Sequence, residues 1–207
     1  MWKKFKEMPI VYPVVVMFII CLVITAALAG TNALTKDQIT KINKENEEKA
    51  MKELIVADEY KEGKVTVDKE ECKYNEAVKD GKTVGYIIQT SEYGYGGEDK
   101  VMVAVDTEGK IIAIKVLDVS NETPGLGQNT AKDGFTKQFK GKSGELSAVK
   151  NGTAKADNEI DAVASATISS KAVTRAVNRA LKIYGTINTE PEEEPAEQEV
   201  SSPEMLY

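Results

Sequence analysis

The chain has 207 residues, of which 42% are apolar, and this composition suits one domain with a buried core. Its net charge is −6, but residues 186–207 hold seven Glu and no Lys, Arg or Asp, so the acidity belongs to the C-terminus. Histidine is absent and only two cysteines are present, which excludes His-dependent nucleophiles, His-based metal sites and a four-thiolate cluster, so redox chemistry here requires a cofactor.

An apolar segment near the N-terminus predicts a membrane anchor. The twenty residues of Ile10–Ala29 carry no charge, and a helix of this length crosses a hydrocarbon core of about 30 Å. Three lysines precede the segment, whereas the next charge after it is Lys36. By the positive-inside tendency we expect residues 1–9 in the cytoplasm, one transmembrane helix over residues 10–30, and the rest of the chain outside the cytoplasmic (inner) membrane.

A cleaved signal peptide is the alternative interpretation of this segment. Ala27-Leu28-Ala29 has the A-x-A form of a cleavage site and directly precedes Gly30. The apolar run is longer than the roughly 7–15 residues of a signal peptide, which favours a retained anchor. Both interpretations predict that the remaining residues are exported.

The region after the anchor predicts a stalk followed by a small α+β domain. We expect a helical stalk over residues 31–62, because this charged segment has sparse apolar positions at helical spacing. Residues 63–185 are expected to form the domain, with an antiparallel sheet and flanking helices. The predicted parts are strands over Thr83–Ser91, Lys100–Val105 and Lys110–Leu117, a glycine-rich loop over Tyr93–Gly97, a loop over Asn121–Thr130 and an amphipathic segment over Phe135–Leu146.

The clearest predicted helix of the domain covers Ser169–Tyr184. Its apolar residues recur at three- and four-residue spacing, and Gly185 is expected to end it. Residues 186–207 are acidic and rich in proline, so we expect a disordered tail. No basic stripe with interleaved aromatic residues is present, so nucleic-acid binding is not expected.

The start of that helix predicts a phosphate site. Small residues surround Thr167, and the free N–H groups and dipole of a helix start favour an anion. The hydroxyls of Ser165, Ser169 and Ser170, together with the close backbone approach allowed by Ala166, would add contacts. A simple helix cap by Thr167 or Ser169 is the alternative, and the residues alone favour it over the phosphate site.

A resemblance to a known family bears on these two interpretations. Asp161–Thr167 resembles the D-x-x-S-G-A-T flavinylation motif of the FMN-binding domain that RnfG of the Rnf complex shares with NqrC of the sodium-pumping NADH:quinone oxidoreductase. The resemblance implies that a flavin transferase links FMN through its phosphate to Thr167. The sequence departs from the motif at Ala164, where Ser is usual, and at Ser165, where Gly is usual.

A second segment strengthens the resemblance. Residues 122–127 read E-T-P-G-L-G, which looks like the loop that this family places against the isoalloxazine ring. Pro124 and Gly125 are expected to form a tight turn, while Leu126 packs on the ring. The glycine-rich segment precedes this loop as it does in the family. The implied FMN contacts are therefore Glu122, Thr123, Gly125, Leu126, Gly127, Tyr95 and Gly96, together with the residues around Thr167.

The resemblance implies an electron-relay subunit without catalytic residues or metal ligands of its own. The parent complex would be Rnf, which couples electron transfer between ferredoxin and NAD⁺ to pumping of Na⁺ or H⁺. Its partners would be the other membrane and peripheral subunits, and the flavin transferase during maturation. The alternatives are NqrC of the quinone oxidoreductase, and a membrane-anchored interaction or sensor domain without flavin.

Overall fold

A computed structural model describes residues 11–189 of the chain. The predicted cytoplasmic segment over residues 1–9 and most of the predicted acidic tail lie outside the described residues. The chain divides into two compact units between Lys49 and Ala50. The second unit contains the sheet and the candidate site.

The described part of the N-terminal unit, residues 11–49, is helical throughout. Helix α1 covers Val11–Leu54, so the predicted anchor and most of the predicted stalk form a single continuous element. It is long and apolar enough to cross a membrane. Most large apolar side chains of its first half are 46–66% exposed, with Phe18 and Leu28 the most exposed, as expected for a surface that faces lipid rather than protein.

The predicted stalk helix is wrong in its last residues, because α1 ends at Leu54 and a strand begins at Glu59. The Tyr60 hydroxyl donates a hydrogen bond to the Ile55 carbonyl at 2.6 Å. The N–H of Asp58 donates to the Val78 carbonyl at 2.9 Å, so this segment is already tied to the sheet. Pairing with a distant strand overrides the local helix propensity of these charged residues.

Five strands form an antiparallel sheet in sequence order, which confirms the predicted α+β class. The three predicted strands are present, each within one or two residues of its expected start. The first two strands of the sheet were not predicted. The five are β1 (Glu59–Val67), β2 (Glu70–Lys79), β3 (Lys82–Tyr93), β4 (Glu98–Val105) and β5 (Ile111–Asp118).

Short elements separate the sheet from the last helix. The predicted amphipathic segment becomes two helical turns whose Phe135 and Phe139 are buried, and its remaining residues are irregular up to Leu146, which is also buried. These elements are a 3₁₀ helix (Gly127–Ala131), helix α2 (Asp133–Thr136), a second 3₁₀ turn (Lys137–Phe139) and the parallel strands β6 (Ser147–Val149) and β7 (Glu159–Asp161).

Helix α3 covers Thr167–Ile187, so it begins two residues before its predicted start. The prediction that Gly185 ends this helix is wrong, because the helix continues to Ile187 and Asn188 follows as its C-cap. The predicted domain end at residue 185 and the predicted tail from residue 186 therefore fall inside the last turn of α3. A single glycine at an exposed helix position costs only about 1 kcal/mol, which the packing of the preceding turns offsets.

The core has two layers because β4 is buried on both faces. Val101 and Val103 face α3, whose Val173 and Val177 are fully buried against them. Met102 and Ala104 alternate to the other face and belong to a second cluster with Ala50, Leu54 and Ile55. Within the second unit, the sheet is thus held between α3 and the segment 50–55, and the N-terminus of α3 lies at the candidate site.

Candidate functional site

A cleft of about 470 Å³ lies at the N-terminus of α3. Three segments that are far apart in sequence meet there: the glycine-rich loop after β3, the loop after β5, and the start of α3. Most of the residues singled out in the sequence line it, whereas Gly96, Gly125 and Ser170 do not, and Ile168 was not predicted. The lining residues are Tyr95, Glu122, Thr123, Leu126, Gly127, Ser165, Ala166, Thr167, Ile168 and Ser169.

The loop after β5 contains the predicted tight turn. The N–H of Leu126 donates to the Thr123 carbonyl at 3.1 Å, and Gly125 has a φ of 79°. Proline at the second position and a positive φ at the third are the pattern of a type II turn, which favours glycine at that third position. The turn leaves Leu126 40% exposed on the wall of the cleft.

Glu122 is a buried carboxylate that joins all three segments. It is 2% exposed. Its Oε1 accepts hydrogen bonds from the N–H groups of Tyr95 at 2.7 Å and Gly96 at 3.1 Å. Its Oε2 accepts one from the Ser169 hydroxyl at 2.8 Å. The sequence predicted a cofactor contact here, and the structure gives Glu122 a role in holding the walls of the cleft together.

Gly127 is required by this arrangement. A Cβ added at Gly127 would lie 2.0 Å from Glu122 Oε2 and 2.8 Å from the Ser169 hydroxyl oxygen. Any side chain would therefore displace the carboxylate from its hydrogen bonds. The last glycine of the E-T-P-G-L-G segment is thus explained by close packing rather than by its backbone angles.

The N-terminus of α3 has no side-chain cap. Its N-cap residue is Ala166, and Thr167 is exposed at the first helical position. The alternative in which Thr167 or Ser169 caps the helix is therefore wrong, since the Ser169 hydroxyl bonds to Glu122 instead. The N–H groups of a first helical turn have no intrahelical acceptor, so they remain available to an anion in the cleft.

Two side chains of the segment 161–170 point away from the cleft: Ser170, which was predicted to contact the phosphate, and Asp161 of the motif. Ser170 is fully buried, and its hydroxyl donates to the Ala166 carbonyl and accepts from the Val163 N–H, each at 2.9 Å. Asp161 accepts hydrogen bonds from the N–H groups of Thr153 at 2.9 Å and Ala154 at 3.0 Å. Both side chains fix the backbone around the motif instead of facing the cleft.

Ser165 adopts the backbone conformation that glycine favours. Its φ is 61°, and its side chain is exposed at the mouth of the cleft. The left-handed region costs a non-glycine residue roughly 1–2 kcal/mol. The sequence departs from the flavinylation motif at this position, and the structure keeps the glycine-like conformation despite the side chain.

A second buried carboxyl group lies behind Glu122 and was not predicted. Asp99 is 1% exposed, and its Oδ2 has no hydrogen-bond partner within the part of the chain that the structure describes. Burial raises the pKa of Asp99 to about 7, and the charges of Glu122 and Asp118 act in the same direction. The sequence feature that could have predicted its burial is the alternation of side chains along β4, which places Asp99 on the same face as Val101 and Val103.

Comparison with known proteins identifies related chains over this region. The FMN-binding domain family matches residues 94–182, which include the three segments of the cleft. The G subunit of the Na⁺-translocating ferredoxin:NAD⁺ oxidoreductase complex of Acetobacterium woodii is 34% identical over 84% of this chain and 90% of its own length. The G subunit of the proton-translocating complex of Clostridium ljungdahlii is 42% identical, over 51% of this chain and 56% of its own length.

Solved structures share the fold. The C subunit of the Na⁺-translocating NADH-quinone reductase from Parabacteroides distasonis superposes with a TM-score of 0.52 and 27% identity, covering 59% of this chain and 65% of that chain. NqrC from Shewanella oneidensis gives a TM-score of 0.51 at 19% identity, covering 67% and 73%. The second likeness concerns the fold alone.

Proposed function

This chain belongs to the RnfG family of ion-translocating ferredoxin:NAD⁺ oxidoreductase (Rnf) complexes, and from that membership we propose that it is an electron-relay subunit with FMN esterified to Thr167. The observation that carries the proposal is the cleft. It brings an exposed threonine hydroxyl at an uncapped helix start beside the E-T-P-G-L-G loop and Tyr95. These segments lie more than 25 residues apart in sequence, at positions 95, 122 and 167.

The chemistry of the lining suits FMN. Its volume of about 470 Å³ lies in the range of ligand sites. Thr167 Oγ1 would form the phosphoester. The N–H groups of the first turn of α3 would donate hydrogen bonds to the phosphate oxygens, and the helix dipole would stabilise the negative charge of the phosphate. Leu126, Ile168 and Tyr95 offer apolar surface of the kind that a flavin ring contacts.

The same lining supports a relay rather than a complete active site. When bound, FMN supplies one- and two-electron chemistry. The one carboxylate that lines the cleft within the described residues, Glu122, is buried and engaged by three donors, so it is not presented to a substrate. The role of the chain would be to hold the cofactor in place and to set its surroundings for exchange with centres in neighbouring subunits.

A covalent link has a physical rationale at the proposed location. We place the chain in the cytoplasmic membrane as a single-pass subunit, with residues 1–9 in the cytoplasm and the flavin domain on the outer side. Outside the cytoplasm, dissociated FMN would be lost by diffusion, and an ester bond removes that route. The proposed division is residues 10–30 for the transmembrane helix and 31 onward for the exported part. The structure adds that the domain's first strand begins at Glu59.

The parent complex is proposed from the relatives. They are subunits of ion-translocating oxidoreductase complexes, and relatives matched over 90% of their own length are G subunits. That observation favours Rnf over the quinone reductase, although the C subunit of that enzyme shares the fold. One relative is named Na⁺-translocating and another proton-translocating, so this similarity is compatible with either coupling ion. The partners would be the other subunits of the complex and a flavin transferase.

The attachment site is tested on the full chain produced together with a flavin transferase. After complete denaturation and electrophoresis, we expect ultraviolet-excited flavin fluorescence on the wild-type band and none on Thr167→Ala. Thr107→Ala is the matched control, because Thr107 is exposed in the turn between β4 and β5 and does not line the cleft; it should keep the fluorescence. Fluorescence that survives Thr167→Ala, or that is absent from the wild type, would contradict the assignment.

A further inference from the structure

Two carboxyl groups lie together behind the wall of the cleft. A Cβ added at Gly94 would lie 2.3 Å from Glu122 Oε1 and 2.5 Å from Asp99 Oδ2, so both oxygens pack against the same glycine. Asp99 is 1% and Glu122 2% exposed. Glu122 accepts three hydrogen bonds, whereas Asp99 Oδ2 has no partner among the described residues.

Two neighbouring carboxylates buried from water do not both ionise readily. The three donors around Glu122 stabilise its negative charge. Asp99 has no comparable donor for Oδ2, and none of the ion pairs found among residues 11–189 includes it. The proton of this pair therefore belongs on Asp99.

The other charges around Asp99 do not change this conclusion. Asp118, at the end of β5, is a further negative charge that raises the pKa of Asp99. Hydrogen bonds from Ser120 lower the pKa of Asp118, and the charge of Lys100 acts in the same direction. Glu92, opposite Asp99 on β3, forms an ion pair with Arg175 of α3 at 3.4 Å. The nearby positive charges are thus directed to other carboxylates.

We infer that Asp99 is a positioning residue that carries a proton and thereby keeps Glu122 as the single buried negative charge joining the glycine-rich loop to the start of α3. Loss of that proton would place a second charge beside Glu122 and weaken its bonds to Tyr95, Gly96 and Ser169. The geometry of the cleft would then change with pH. This inference deepens the proposed function, since the cleft it controls is the one proposed to hold FMN.

The first experiment uses the flavin-free full chain in detergent and measures thermal unfolding midpoints from pH 4 to 9. Asp99→Asn is nearly isosteric with the protonated side chain and is neutral throughout. The raised pKa means that the unfolded chain releases a proton which the folded chain keeps. The wild type should therefore lose stability relative to Asp99→Asn as the pH rises from about 4 to about 7, and the difference should then level off.

Asp133→Asn is the matched control, because Asp133 is exposed and forms a surface pair with Lys137. Its profile should run parallel to that of the wild type between pH 5 and 9. Glu122→Gln removes the neighbouring charge and should move the break to lower pH, which tests the inference even if Asp99→Asn does not fold. An Asp99→Asn profile parallel to that of Asp133→Asn, or an unshifted break in Glu122→Gln, would overturn it.

The second experiment measures the visible circular dichroism of the flavin-loaded full chain over the same pH range. The wild type should show a spectral change centred near pH 7, and Asp99→Asn should not. A break in unfolding without a spectral change would mean that Asp99 holds a proton but does not position the site, which refutes the inference. If no flavin is attached at all, the proposed function fails, whereas the flavin-free profiles still decide the protonation of Asp99.

Discussion

Ser165 illustrates how one side chain changes the energetics of a backbone conformation. Its φ of 61° is a conformation that glycine, the usual residue of the flavinylation motif at this position, adopts without cost. The first residues of α3 follow immediately, so the direction in which Thr167 leaves the turn depends on this angle. The serine therefore carries strain at the place where the proposed ester forms, and strain of this kind is measurable.

Ser165→Gly should stabilise the domain by about 1 kcal/mol. Glycine removes the strain of the left-handed conformation, and this gain exceeds the cost of the greater conformational entropy of glycine in the unfolded chain. Urea unfolding of the full chain in detergent measures the change. Ser143→Gly is the control, since Ser143 is exposed and has no positive φ, and it should be neutral or slightly destabilising. Equal effects of the two substitutions would show that Ser165 is not strained.

Individual side chains near the cleft differ in how well the sequence predicts their orientation. The exposed side chains of the motif, Ser165 and Thr167, line the cleft. Ser170 and Asp161 look equivalent in the sequence but turn inward to bond with backbone groups. Asp99 carries no motif, and its importance appears only when a loop from 23 residues later in the chain is folded against it.

At the scale of elements, the cleft depends on hydrogen bonds between segments rather than within them. Glu122 lies in the loop after β5 and bonds to both the loop after β3 and the start of α3. The position of each segment in the cleft therefore depends on the other two. The backbone N–H groups of Tyr95 and Gly96 both point at one carboxylate oxygen. Hydrogen bonds to a charged acceptor contribute roughly 1.5–3 kcal/mol each, so this junction is a substantial part of the stability of the site.

Glu122→Ala should destabilise the domain by roughly 3 kcal/mol or more, because it leaves two N–H groups and the Ser169 hydroxyl without an acceptor. Flavin attachment should fall as well, since the start of α3 loses its tie to the loop. Glu108→Ala serves as the control, because Glu108 lies in an exposed turn and should change stability by less than about 0.5 kcal/mol. Denaturant unfolding and fluorescence of the denatured band measure the two effects. Attachment that remains complete in an unfolding-competent Glu122→Ala chain would show that the junction does not serve the site.

The elements differ in how well the sequence predicts them. β3 and β4 can be predicted because they contain short runs of apolar and β-branched residues, and α3 because its apolar residues recur at helical spacing. β1 and β2 could not be predicted because Lys and Glu occupy nine of their nineteen positions and hide the apolar pattern, so only the pairing with β3 reveals them as strands. For the same reason the stalk helix was extended too far, to residue 62 instead of Leu54.

At the scale of the whole molecule, charge and hydropathy divide the chain into regions with different surroundings. The apolar half of α1 leaves large side chains exposed to whatever surrounds it, which suits lipid. The second compact unit is a folded domain whose described surface carries both signs of charge. The negative charge of the chain is concentrated after residue 189, beyond the described residues. Anchoring the domain and attaching the proposed FMN covalently would hold the flavin close to the membrane subunits with which it would exchange electrons.

The proposed topology makes a prediction about which residues a membrane-impermeant maleimide can reach. In a chain with Cys21→Ala and Cys72→Ser, a cysteine in place of Glu108 should be labelled in intact cells, because this turn is exposed in the exported domain. A cysteine in place of Lys4, which lies outside the described residues, should be labelled only after permeabilisation. The Lys4→Cys reporter thus serves as the internal control for membrane integrity.

The mass of the labelled chain separates the anchor from the cleaved signal peptide. A retained anchor predicts that both reporters give a full-length band in the membrane fraction. Cleavage after Ala29 predicts a shorter band for Glu108→Cys and no mature band for Lys4→Cys. Labelling of Lys4→Cys rather than Glu108→Cys in intact cells would reverse the orientation, and it would remove the reason for holding the cofactor by an ester bond outside the cytoplasm.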